Sequence, residues 1–225
     1  MPAKPVLPLD GLRDRRLLDR LSGRLFLCPG MVIRRLTLAL AVLAGAGLPA
    51  ATAAAQAQAP LASLPALEVP PYMGTWYQVA WFPNRFQRQC VSDTSATYRQ
   101  RPDGTVEVLN RCRTADGRFD EALGLARPAG RLQGSRLEPA QLEVSFLPAW
   151  LRWLPVGWGR YWVIQFADDG RYAVISEPTR EYLWVLARQP VLAAADETAI
   201  RSRLGQQGFG DLSRWQAHPH AAAPR

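Results

Sequence analysis

The sequence predicts an all-β domain: an eight-stranded antiparallel up-and-down β-barrel with one C-terminal α-helix packed outside. Three observations lead there. From Tyr72 onward the chain falls into eight short runs of β-branched and aromatic residues. Most of these runs follow one another through short connections carrying Asp-Gly or similar turn signals, as in a meander. Helical spacing appears only after the last run. A meander of this size removes its exposed edges by closing on itself, and this strand number leaves an interior wide enough for side chains or one small ligand. A two-sheet sandwich also fits the pattern taken alone.

Each element has its own signal. Thr75–Phe82 is aromatic and β-rich. Thr94–Arg101 and Thr105–Arg113 flank Pro102-Asp103-Gly104 and read as a hairpin. Arg118–Ala126 follows the Asp116-Gly117 turn. Gln141–Leu147 alternates, with Leu142, Val144 and Phe146 on one face and Gln141, Glu143 and Ser145 on the other. Arg160–Ala167 and Arg171–Glu177 flank Asp168-Asp169-Gly170, and Glu181–Arg188 completes the series. In the helix, Asp196 and Glu197 suit a first turn, Ile200 and Leu204 share a face, and Gly208 suits the cap.

The folded part begins well inside the chain. Met31 opens a secretory-signal pattern: a basic stretch Val32–Arg35, an apolar run Leu36–Leu48, and small residues at Ala53-Ala54-Ala55 before Gln56. The apolar run is too short for a transmembrane helix. Residues 31–55 therefore read as a signal peptide and 1–30 as an over-called extension ahead of the true start. Residues 56–71 read as an Ala/Pro-rich extended lead-in, 72–217 as barrel plus helix, and 218–225 as a disordered tail. Residues 1–55 hold eight Lys and Arg against three Asp, which accounts for +5 of the formal +8. What remains is too nearly balanced to point to nucleic acid. Export places the protein in the periplasm or at the cell exterior, peripheral to the outer membrane. Cys28 lies in the leader without the small residue that a lipoprotein signal needs before its cysteine, so no lipid anchor is found.

Three segments carry a family resemblance. Pro71–Ala80 holds Gly-x-Trp, as Gly74 and Trp76, at the start of the first strand. Thr94–Arg113 holds Ala-x-Tyr, Asp-Gly and Val-x-Asn-x-Cys, and Glu177–Pro190 carries a last strand ending in Arg188. In order and spacing over about residues 68–217 these resemble the lipocalins, specifically the branch of bacterial outer-membrane lipocalins and apolipoprotein D. The family's Thr-Asp-Tyr turn is altered here to Ala167-Asp168-Asp169-Gly170-Arg171-Tyr172, and the lipid anchor common among bacterial relatives is missing.

The resemblance implies structural roles for Gly74, Trp76 and Arg188, with Trp76 plugging the closed end and the Arg188 guanidinium across its indole. It implies a cavity wall made of Tyr98, Asn110, Leu142, Val144, Phe146, Tyr182 and Trp184, with Tyr98 and Asn110 as polar points. In a meander Cys90 and Cys112 both fall at the open end, a few residues from facing each other. That favours a disulfide, with a reactive thiol pair as the rival. The connection between the fifth and sixth strands, Leu147–Gly159, is too apolar for an ordinary solvated loop. Trp150, Leu151, Trp153, Leu154 and Trp158 in it read as a membrane-contact loop, a lid or a dimer contact.

Among the mature residues the histidines are His218 and His220, both in the tail, and no nucleophile–base or metal-ligand spacing appears. Asp168-Asp169 reads as a turn and Asp120-Glu121 as strand-edge charge. The expectation is a non-enzymatic lipid-binding protein, with no cofactor and no metal, monomeric or homodimeric. Its ligand is a fatty acid, lysophospholipid or phospholipid held for storage, transport or membrane maintenance under stress. The alternative is a protein-interaction module that uses the tryptophan loop and binds no lipid.

Overall fold

The computed structural model describes residues 59–221. The expected extension at 1–30, the signal peptide at 31–55 and the first residues of the lead-in lie outside the described residues. Eight strands form the barrel: β1 (Gly74–Trp81), β2 (Cys90–Gln100), β3 (Val106–Thr114), β4 (Phe119–Pro128), β5 (Gln141–Ser145), β6 (Gly159–Phe166), β7 (Tyr172–Ser176) and β8 (Leu183–Ala187). Each pairs antiparallel with the next. β8 then pairs with β1, Trp184 opposite Trp81 and Ala187 opposite Tyr77, so the sheet closes and the sandwich is excluded.

Burial explains why the strands differ in pattern. One apolar cluster fills the lumen, around Trp76, Tyr98, Val108, Leu142, Val163 and Ile175. A second lies between the barrel wall and helix α2 (Ala194–Gln206), around Val79, Ile164, Val174, Val185, Ile200 and Leu204. Strand β7 serves both clusters and is buried at every residue, whereas β5 keeps Gln141 and Glu143 on its outer face partly in solvent. The helix ends as the sequence predicts. Gly208 takes φ +84°, its N–H reaches Gly205 O, and the Phe209 N–H reaches Leu204 O, a Schellman cap closed by the apolar Phe209.

Two terminal segments depart from expectation. The lead-in is more than an extended approach: Leu67–Glu68 forms a short strand, followed by a helical turn, α1 (Val69–Tyr72). Leu67 pairs with Leu137 in a three-stranded sheet completed by the hairpin Arg131–Gln133/Arg136–Glu138. Leu67, Val69 and Leu137 are buried, because the apolar residues set among prolines here have the closed end of the barrel to cover, whereas the buried Leu61 packs in the cluster between wall and helix.

The tail expected to be disordered from 218 onward is bound to the wall through Ala221. β1 and β2 pair only between Gly74–Tyr77 and Ser95–Tyr98. Above that β2 bulges, with Asp93 at φ +54°, and the two strands part. Gln216–Ala217 pairs with Trp81 and Ala80 along the edge so exposed. The His218 N–H then reaches Val79 O, the Asp93 N–H reaches Pro219 O, and the Ala221 N–H reaches the Asp93 carboxylate. His218 packs against Trp81 and His220 against Tyr77, both edge-on. Composition marked this segment as tail, but two imidazoles and open backbone groups found an unpaired strand edge.

Candidate functional site

The closed half of the lumen is built for density. Trp76 is fully buried and its indole N–H donates to Tyr72 O at 2.8 Å. The Arg188 guanidinium lies 3.6 Å from the centre of the indole and donates to the carbonyls of Thr75, Pro71 and Met73. Gly74 sits at φ +89°, a conformation that a side chain would strain, and this turn is what aims those carbonyls at the guanidinium. Both side chains thus pack and hydrogen-bond at the closed end of the barrel.

Above them lies a hydroxyl trio. Tyr161 Oη is 2.5 Å from Tyr72 Oη and 3.0 Å from Tyr98 Oη. Burial pushes the Tyr98 hydroxyl up to about 12 and holds Tyr72 and Tyr161 well above the ordinary tyrosine range, so all three stay neutral. Tyr98 had been singled out in the sequence; Tyr72 and Tyr161 had not. Tyr161 alternates with Val163 on β6 and was findable by that spacing. Tyr72 reaches the lumen from the lead-in and carried no such signal.

The open half carries smaller side chains on part of its wall. Tyr98 faces Val108 across β2–β3, and Asn110 stands between Ala96 and Ala122 on the same face. Ala122 is exposed although it faces the lumen. Leu142 and Val144 point inward, Leu142 buried and Val144 partly so. Phe146 continues their face but is 43% exposed at the rim, its ring lying across Gly124, where a Cβ would come within 2.7 Å. Tyr182 and Trp184 are stacked, ring centres 5.8 Å apart. Trp184 packs on the lumen cluster, and its indole N–H donates to Gln87 Oε1. Gln87 Nε2 in turn donates to Gln78 Oε1. Sequence reasoning missed both: Gln78 stands two residues beyond Trp76, a spacing that could have found it, and Gln87 comes from a loop. Gln78 is 2% exposed, and its Nε2 has no partner among the described residues.

The two cysteines are joined. Cys90–Cys112 ties the start of β2 to the end of β3 at the open end, with Cα atoms 5.4 Å apart. Closing a loop of 22 residues stabilises the fold by roughly 3 kcal/mol in the chain-entropy account.

The loop between β5 and β6 is compact, with helical turns at Ala149–Leu151 and Pro155–Gly157. It divides the residues expected to act together. Trp150 and Trp153 are 73% and 76% exposed, and Val156 joins them at 88%. Leu151, Leu154 and Trp158 are instead half-buried. Trp158 turns back under the Arg127 guanidinium, 4.0 Å from its ring centre, and donates its N–H to Arg152 O. Among the described residues no group of three His, Cys, Asp or Glu could hold a metal ion, and no helix is long and apolar enough to cross a membrane.

Comparison with known proteins agrees with this geometry. The Lipocalin-like domain family matches residues 67–219. Temperature-induced lipocalin-1 of Arabidopsis thaliana is 35% identical over 159 residues, covering 70% of this chain and 82% of the relative. The outer membrane lipoprotein Blc of Escherichia coli K12 is 32% identical over 151 residues, 66% and 77% of the two chains. Mouse apolipoprotein D is 28% identical over 165 residues, 70% and 79%. Among solved structures, the cockroach allergen Per a 4 superposes with a TM-score of 0.53 at 15% identity, covering 71% of this chain and 92% of the other. Insecticyanin of the tobacco hornworm Manduca sexta gives 0.52 at 15% identity, covering 72% and 85%.

Proposed function

This chain belongs to the lipocalin family, whose members bind small hydrophobic ligands, and from that premise we propose that it holds a lipid in its lumen. The ligand is a fatty acid, lysophospholipid or phospholipid, its acyl chain standing on the tyrosine floor between Leu142, Val144, Phe146, Tyr182 and Trp184. Asn110 and Tyr98 supply polar contacts along the wall. One observation carries the reading: large aromatics fill the closed half, whereas the open half presents Asn110 and Ala122 to the lumen. That wall would accept an apolar chain with few polar contacts, as ligand pockets do. A chain of about 16 carbons brings about 12 kcal/mol of gross burial, of which ordering and association take a large share. Lipocalins are in general carriers rather than enzymes, and this reading gives the chain no catalytic step.

The exposed Trp150, Trp153 and Val156 extend the proposal to the membrane. They stand at the open end, where tryptophan suits the interface between bilayer and water. A rim docked there lets lipid pass into the barrel without crossing water. With the expected export signal, the reading is of a protein of the periplasm or cell exterior, peripheral to the outer membrane, in lipid storage, transport or membrane maintenance.

Native mass spectrometry of protein purified from an oxidising compartment without detergent, followed by lipid extraction, tests the proposal. A retained fatty acid or phospholipid is expected. A clean apo mass with no uptake on adding lipids back would overturn it and leave an interaction module built on the tryptophan loop.

A further inference from the structure

At the rim of the open end, across the barrel from the tryptophan loop, lies a cleft of about 450 Å³. That is within the size range of ligand pockets, roughly 300–1,000 Å³. Asn84, Arg85, Arg88, Glu181, Tyr182 and Arg214 line it. They come from three separate segments: the β1–β2 loop, the β7–β8 loop and the stretch leading into the C-terminal strap. Three guanidiniums face one carboxylate, which leaves two positive charges in excess. Among the described residues, none of Arg85, Arg88 and Arg214 has a carboxylate within 4.0 Å. Arg113 on β3, by contrast, is held by Asp93 at 2.8 Å.

The cleft is held in place from beneath. Asn84 Oδ1 accepts the Phe86 N–H, and its Nδ2 donates to Phe82 O and Gln87 Oε1. Gln87 is itself fixed by Gln78 and Trp184. Arg85 and Arg88 therefore project from a turn anchored in the lumen wall. Arg214 is steadied by its bond to Glu181 O and by the Phe82 ring 4.9 Å away. Tyr182 lines the cleft and stacks on Trp184, which packs against the lumen cluster, so this ring pair stands between cleft and lumen.

We propose that this cleft is an anion site for a phosphate group, with Arg85, Arg88 and Arg214 as its ligands. Guanidinium forks match phosphate oxygens in geometry, and two excess positive charges match a phosphate monoester dianion. Glu181 sets the selectivity by opposing anions too small or too weakly charged to engage all three arginines. The assignment deepens the lipid-carrier reading: the phosphate is that of a lipid whose acyl chain enters the lumen past Tyr182 and Trp184. The same chemistry would take free phosphate.

Calorimetric titration of the full chain separates these sources, using 1-oleoyl-lysophosphatidate, monooleoylglycerol and inorganic phosphate, all below micellar concentrations. The lysophosphatidate is expected to bind at least about tenfold more tightly than the glyceride, which has the same acyl chain and no phosphate. Arg85→Gln/Arg88→Gln, both exposed, should remove most of that preference and leave the glyceride affinity within about twofold. Glu181→Gln should tighten lysophosphatidate a few-fold. Equal binding of both lipids to wild type and variant overturns the phosphate site and leaves the carrier standing. Binding of inorganic phosphate alone, lost in the double variant, supports the site and overturns the carrier.

Discussion

Trp76 at the closed end and Trp150 and Trp153 at the open end are the same side chain under opposite conditions. Trp76 has no exposed surface, one satisfied indole N–H and an arginine across its face. Trp150 and Trp153 leave about three-quarters of their surface in water. The contrast extends to charge. At the closed end Arg188 spends its donors on three carbonyls, whereas Arg85 and Arg88 at the open rim have no hydrogen-bond or ion-pair partner among the described residues. One end is finished by the chain itself. The other leaves apolar surface and positive charge exposed, and both proposed binding surfaces lie there.

The comparison is broken most severely at its closed end. Trp76→Ala should cost roughly 3–5 kcal/mol of unfolding free energy, because it empties a buried site and strands Arg188. Urea denaturation measures it, and a loss under about 1 kcal/mol would mean that the closed end does not anchor the fold.

Acid should weaken the two ends unequally. Burial, aided by His220, lowers His218 to about 4 from 6.5, against smaller upward pulls from a Ser92 backbone contact and from Asp93. The unfolded chain takes up this proton as pH falls below 6.5, the folded chain only near 4, so the imidazole's contribution is complete above 6.5 and lost on the way to 4. A loss on the order of 1–2 kcal/mol between pH 7 and pH 5 is expected. Hydrogen exchange should report it first at Gln216–Ala221, while the tyrosine floor, neutral throughout, is unmoved. His218→Asn should flatten this component; the same pH dependence in that variant would assign it elsewhere.

The smallest effect on stability sharpens the contrast most. Trp150→Ala/Trp153→Ala should leave unfolding within about 0.5 kcal/mol of wild type, since little burial is lost. Co-sedimentation with phospholipid vesicles should nevertheless fall clearly. Unchanged sedimentation would remove these residues from membrane contact.

What the sequence revealed follows the same axis. Gly74, Trp76 and Arg188 were legible because their interactions are local to a strand start and a strand end that face each other. Leu142, Val144 and Phe146 were legible because period-2 alternation survives where one face is wet. The disulfide was legible because hairpin register fixes which residues meet. Pattern gave no hold on contacts that join distant, unpatterned segments: the cap formed by Leu67 with Leu137, the reach of Tyr72 to Tyr161, and the docking of His218 and His220 on β1. The tryptophan loop was legible in composition but not in orientation, since no periodicity tells Trp158 to fold back onto the outer wall while Val156 stands free in solvent.

The strap beside β1 also fixes an order of events during synthesis. Trp81 and Ala80 meet β8 on one side and Gln216–Ala217 on the other, so the first barrel strand waits for the last residues of the domain on both edges. Contacts of such sequence separation form late, because the loop they close must be ordered first. A nascent chain halted before residue 183 would hold a curved, open sheet with both seams unsealed. The barrel can enclose a guest only once its C-terminal residues have been made and laid in place.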